Sequence, residues 1–143
     1  MATQVGQNLQ GIGYVSLSTD FDKNNIKPLT YEGVEASVSS VNDGTYALAR
    51  PFAYVTRAKG DFESEDKEAM VAAFLDYLNN SKEGRQVVLA AGGIVDVDSA
   101  IAWSELKAKH PIVAQDNSSM TLITAGSTSV DKTLKAALES FKP

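Results

Sequence analysis

The most constraining feature of this chain lies near its end, where an apolar, β-prone run over 120–125 meets Gly126 and passes directly into a helical pattern. Leu122 and Ile123 carry the run, and Val130, Leu134, Ala137, Leu138 and Phe141 then recur at helical spacing. The pattern predicts a strand, a tight turn and a helix, with the strand inside a sheet and the helix over 130–141 covering one of its faces. Gly126 permits a close turn, and Ser127, Thr128 or Ser129 can cap the helix with a hydroxyl. Free backbone N–H groups beside such hydroxyls also suit an anion. On spacing alone, simple capping and anion binding are both open.

A chain of 143 residues is about one domain long and can bury a real core. A net charge of -5 with 13 basic residues that form no dense patch argues against a nucleic-acid surface. It does not argue against a local anion site built from backbone and hydroxyl donors. No cysteine is present and the single histidine is His110, so thiolate metal sites and histidine clusters are excluded. No run approaches the length of a membrane span, and the first residues have neither the basic nor the apolar region of an export signal. Such a signal can have been removed.

Read in order, residues 1–10 are polar and at best end a short helix. Residues 11–18 alternate Ile12, Tyr14 and Leu17 among small residues, as a strand does, with Gly11 and Gly13 permitting close approach. Residues 27–34 read as extended chain broken at Gly33, and 37–43 as a loop. Residues 46–56 are the most strand-like of the middle, entered after Pro51 or lying at an edge. Ser64 is placed to cap a helix with Glu65 and Asp66 in its first turn and Val71, Phe74, Leu75 and Leu78 on its apolar stripe. Ser81 caps a second helix to about Ala90, which Gly92 and Gly93 stop before a short strand at Ile94 and Val95. A third helix is expected over 99–109, carrying Trp103 and Leu106, with a polar candidate linker at 115–119.

Catalytic arrangements are thin. Asp96 and Asp98 lack the rest of a calcium loop, Ser127 lacks a nucleophile elbow, and Gly126 is not followed by a P-loop lysine. No catalytic residue, metal ligand or cofactor is assigned, and the chain is not expected to be an enzyme.

The turn from Gly126 to Val130 resembles the first anion-binding turn of phosphate-binding proteins that serve ABC-type uptake systems. Further landmarks look like the C-terminal part of that family. They are the stretch from Gly11 to Leu17, the stretch from Gly44 through Arg50 to Pro51, Phe74 to Leu78 with Ser81 to Gly84, and Ala91-Gly92-Gly93. Their order departs from the family, whose Gly-Ser-Thr turn lies near the mature N-terminus. The chain thus resembles a circularly rearranged or tandem-derived piece, joined within 111–119, that lacks the long middle lobe. The resemblance implies a three-layer α/β lobe of the periplasmic-binding-protein type over 1–143, incomplete or rearranged. It also implies phosphate capture at Gly126, Ser127, Thr128 and Ser129, with Thr128 and the backbone around Ser129 as the firmest contacts, and a structural role for Arg50. The implied partners are inorganic phosphate and a membrane ABC permease, with self-association or a complementary chain replacing the missing lobe. The implied location is periplasmic, extracellular or lipid-anchored at the cell surface. The alternative is a structural or oligomer-forming fragment that binds no ligand on its own.

Overall fold

Helices, and no sheet, organise the described residues. The structure, a computed structural model, describes residues 1–141, and within the last helix the side chains of Thr128 and Ser129 lie outside the described residues. The chain divides into two compact units, the first Met1–Pro51 and the second beginning at Phe52.

The first unit holds two short helices, α1 (Ala2–Gly6) and α2 (Val38–Asn42). The loop expected over 37–43 is helical because Ser37 and Ser40 form a reciprocal capping box, the Ser37 hydroxyl accepting from Ser40 N–H and the Ser40 hydroxyl from Ser37 N–H. Between α1 and α2, Tyr31 and Val34 exchange backbone hydrogen bonds of 2.9 Å across Glu32 and Gly33, both at positive φ. Two such central residues make a tight hairpin turn, but it continues into no ladder.

The second unit is built on α3 (Glu65–Asn80) and α4 (Lys82–Ala90), which pack on each other. Ser64 caps α3 by accepting from Lys67 N–H, and Glu65, Asp66 and Glu68 occupy the positive end of its dipole. Ser81, wholly buried, closes α3 and opens α4. Its Oγ donates to Tyr77 O at 2.6 Å and accepts from Gly84 N–H at 2.8 Å. Gly92 (φ 93) then turns the chain, and Gly93 N–H bonds back to Val88 O.

The third helix is shorter than its expected span over 99–109. The Asp96 carboxylate accepts from Asp98 N–H and Ser99 N–H in a local turn, and Ile101 exchanges backbone bonds with Asn80 and Lys82. Helix α5 therefore starts only at Trp103 (Trp103–Leu106), and 3₁₀ turns over Lys107–Lys109 and Pro111–Ala114 follow it. Helix α6 spans Thr128–Ser140 and packs against α4.

The core consists of Met70, Ala73, Phe74 and Tyr77 of α3 with Ile112, Ala137 and Phe141. Tyr77, outside the stripe of Val71, Phe74, Leu75 and Leu78 read from the sequence, is at the centre and 1% exposed. Its ring meets Trp103 edge-on at 5.2 Å and Phe141 at 5.3 Å, and Phe74 meets Phe141 at 5.2 Å.

The expected α/β class is overturned. Among the described residues, pairing is limited to two isolated bridges, Tyr31 with Val34 and Ser81 with Ile101. The segments read as strands at 11–18, 46–56, 94–95 and 120–125 form no ladder among the described residues. Strand propensity reports fitness for a pleated surface that neighbours must supply, and a lone strand is unstable without them. Along 120–123 the alternation survives without a sheet, with Met120 and Leu122 packed on the helical core and Ile123 94% exposed. A three-layer lobe, rearranged or not, is therefore absent from this fold.

The α3–α4 corner yields a test. A Cβ at Gly84 would lie 2.1 Å from the carbonyl oxygen of Tyr77 and 2.9 Å from Ser81 Oγ. Replacing a helical glycine by alanine ordinarily gains about 1 kcal/mol, whereas forcing backbone apart in a packed site costs about 1–3 kcal/mol or more. Gly84→Ala is expected to lower the urea midpoint; an unchanged or raised midpoint would show that the corner is looser than its geometry.

Candidate functional site

The sequence points first to the start of α6. The turn before it is open: Gly126 and Ser127 are exposed, and a Cβ at Gly126 would meet only Val130 Cγ2 at an ordinary 3.5 Å. Close backbone approach does not require a glycine there, contrary to the tight-turn expectation. Thr128 and Ser129 begin the helix, and their hydroxyl contacts fall outside the described residues.

Behind the turn is a hollow of about 130 Å³ lined by Thr124 to Ser127 and by Val130, Asp131, Leu134, Lys135 and Leu138. Its charged groups answer each other. Asp131 stands in the first turn, where a carboxylate already meets the positive end of the helix dipole, and Lys135 Nζ lies 2.8 Å from its Oδ2. The hydrogen bond and charge of Asp131 hold the Lys135 ammonium pKa above its ordinary value. An anion arriving at this helix start would meet a carboxylate, and the lysine that lines the hollow is already engaged.

A second polar cluster lies on α3. Asp76 accepts from Asn80 Nδ2 at 2.7 Å on one oxygen, and His110 Nε2 lies 2.7 Å from the other. The His110 ring stacks on Trp103, with centroids 6.1 Å apart, and the Tyr77 hydroxyl is 2.6 Å from Ser140 Oγ. The Asn80 hydrogen bond, then that of His110, hold the Asp76 carboxyl below its ordinary pKa, with the Lys109 charge adding to them. His110, one residue past the helix expected over 99–109, thus ties the chain after α5 to the side of α3. Asp76 was missed, although Asp and Asn four apart on a helix are a readable pair.

Arg85 is the other polar anchor absent from the sequence reading. Its Nε donates to Asn79 O at 2.6 Å, and Nη1 donates to Asp96 O and to Ser99 Oγ. The guanidinium fork binds the 96–99 loop to the end of α3. Asp96 and Asp98 accordingly serve a turn rather than a cation, and no group of three or more potential metal ligands occurs among the described residues. No helix among them is long and apolar enough to cross a membrane.

Comparison with known proteins adds a similarity of sequence. The chain is 33% identical over 121 residues to phosphate-binding protein PstS 2 of Streptococcus agalactiae serotype V, covering 85% of this chain and 38% of that protein. It is 30% identical over 135 residues to phosphate-binding protein PstS 2 of Streptococcus pneumoniae serotype 4, covering 94% of this chain and 40% of the relative. No family model and no solved structure matches. The relatives are phosphate-binding proteins by name.

The chain thus spans about two fifths of the relatives' length, and it does so without a sheet among its described residues. The phosphate-binding-protein architecture implied by the resemblance fails on that ground. With it fall the assignment as substrate-binding component of an ABC-type phosphate transporter and the partnerships with inorganic phosphate and a permease. The reason is physical: a two-lobe anion cage holds its donors on loops anchored by sheets, and here the segment preceding α6 belongs to no strand ladder among the described residues.

Asp76 generates a pH expectation. Its pKa is lower folded than the ordinary 3.8, so it stabilises the fold above that value and loses this contribution as pH falls through the lower folded pKa. Asp43, Glu63, Asp96 and Asp116 are shifted in the same direction. The informative quantity is therefore the difference between parent and Asp76→Asn in urea unfolding from about pH 5 to about pH 2. The parent should lose more stability than the variant across that window. Parallel pH profiles would remove Asp76 from the acid-sensitive contacts.

Proposed function

We propose that the chain is a structural, oligomer-forming helical module that binds no ligand on its own. The observation that carries this reading is the exposure of large apolar side chains on unpaired chain. Leu9, Ile12 and Tyr14 in the first unit, and Tyr54, Val55 and Ile123 in the second, are all more than half exposed. Unpaired extended backbone bearing apolar groups is a template for association with another chain. Burying such groups would gain roughly 25 cal/mol for each Å² removed from water. The neutralised charge pair at the start of α6 supports the same reading, because it leaves little to attract an anion.

Residues 1–143 act in this proposal as one module, with 111–119 as the join between two portions of sequence. A location outside the cytoplasm, whether periplasmic, extracellular or lipid-anchored at the surface, is proposed with it and rests on the family resemblance alone. Cell fractionation checks that location.

Sedimentation equilibrium over a wide concentration range tests the function directly. The weight-average mass should rise with concentration, and a well-folded species that stays monomeric throughout would reject the reading. Titration with inorganic phosphate, followed through amide shifts, provides the opposing outcome. At millimolar phosphate no saturable shift is expected. Saturable shifts centred on Gly126, Ser127, Thr128 and Ser129 would restore those residues as a ligand site and overturn the ligand-free proposal.

A further inference from the structure

An open groove of about 480 Å³ runs between α4 and α6. Its lining is apolar and mostly small, with Val87 and Ala90 from α4, Ala91 just after it and Ala136 from α6. Its rim carries two opposite charges on one helix, Lys132 and Glu139. Both are exposed, and neither takes part in an ion pair among the described residues, whereas Lys135 on the neighbouring face is paired with Asp131.

The spacing of these three α6 residues is self-complementary. Lys132 and Glu139 are seven residues apart, two turns and roughly 10 Å along the axis, so they share a face. Ala136 lies next to the midpoint between them. A twofold axis through Ala136 that sets α6 antiparallel to a second α6 would place Lys132 opposite the partner's Glu139 and Glu139 opposite the partner's Lys132. A twofold contact uses the same patch on both copies, so one arrangement satisfies both charges of both chains. Ala136 at the crossing, with the small α4 side chains beside it, lets two helices approach at the short end of the usual range of about 8–10 Å.

We infer that the α4–α6 groove receives a second copy of this chain, paired antiparallel through α6 about Ala136. This names the partner and the surface for the association proposed above and rests on that reading. The charge pattern selects the occupant: the groove carries one cation and one anion at matched distances from its centre, and a copy of itself supplies the inverse order. Rim ion pairs contribute little to affinity, but like charges set directly opposite select strongly against a register. Reversing one charge turns both symmetric pairs repulsive at once.

The test compares parent, Lys132→Glu, Glu139→Lys, the double exchange and an equimolar mixture of the two single variants by sedimentation equilibrium, with helical content checked by circular dichroism. Each single variant should associate at least about tenfold more weakly than the parent. The double exchange should recover parental association. The mixture should recover it as well, because an all-acidic rim then meets an all-basic one in a heterodimer. Recovery in the mixture also answers any doubt that a single variant had merely failed to fold. If the parent associates and the single variants associate equally well, or the mixture is no stronger than its components, the α6 pairing is overturned while the oligomer-forming reading stands. A parent that is monomeric at every concentration overturns both.

Discussion

The hydroxyl of Ser81 is the contact on which the ordered part of this molecule depends. It has no exposure to solvent, and its two hydrogen bonds join the last turn of one helix to the first turn of the next with no residue between them. A buried hydroxyl with both bonds made contributes about 1 kcal/mol per bond, and one left unmatched costs about 1–3 kcal/mol. Gly84 allows the approach, since any side chain there would strike the Tyr77 carbonyl. The corner fixes where α4 leaves α3, and the Ile101 backbone and the Glu83 carboxylate, which accepts from Trp103 N–H, then bring α5 to the same place.

Around that corner the aromatic side chains close the core. Tyr77, Trp103 and Phe141 come from three distant parts of the sequence and meet within 6 Å of one another. Phe74 adds an edge-on contact with Phe141, so the end of α6 is held from both sides of the α3 stripe. The first unit has no comparable centre. Its helices are five residues each, and Ser40 is its one residue classed as buried among those described. Its order rests on local caps and turns, which satisfy backbone groups but bury little apolar area.

The residues that were legible in the sequence are those whose structure is set by near neighbours. Ser64 and Ser81 cap as their spacing indicates, Gly92 ends α4, and the apolar residues of α6 do line a helix. Tyr77 was misjudged because its position on the stripe depends on what packs against α3, which the sequence of α3 does not contain. The expected strands failed for a related reason. Ile12, Tyr14, Leu48, Val55 and Ile123 have the composition of strands, but pairing is decided by the arrival of another extended segment, and none arrives among the described residues. Ser37 and Ser40 were read as loop although they carry the spacing of a cap, because a five-residue helix has too few positions to show a period. Of the candidate site, the position of Gly126 and Ser127 before a helix was legible. The answering of Asp131 by Lys135 was equally readable, four residues apart on one helix.

The one tryptophan of the chain occupies an unusual place. Trp103 stacks on the His110 ring, meets Tyr77 edge-on and leans on Phe141, so a single indole touches α3, the segment after α5 and the end of α6. Its emission consequently samples the whole helical core from one point, with no second indole to blur the signal. The His110 imidazole lies on its face, with ring centroids 6.1 Å apart, so the contact between the 107–110 turn and the core also falls within reach of that one ring. The chain thus contains its own optical gauge, in which the colour and intensity of one ring report whether three separate stretches of polypeptide remain gathered.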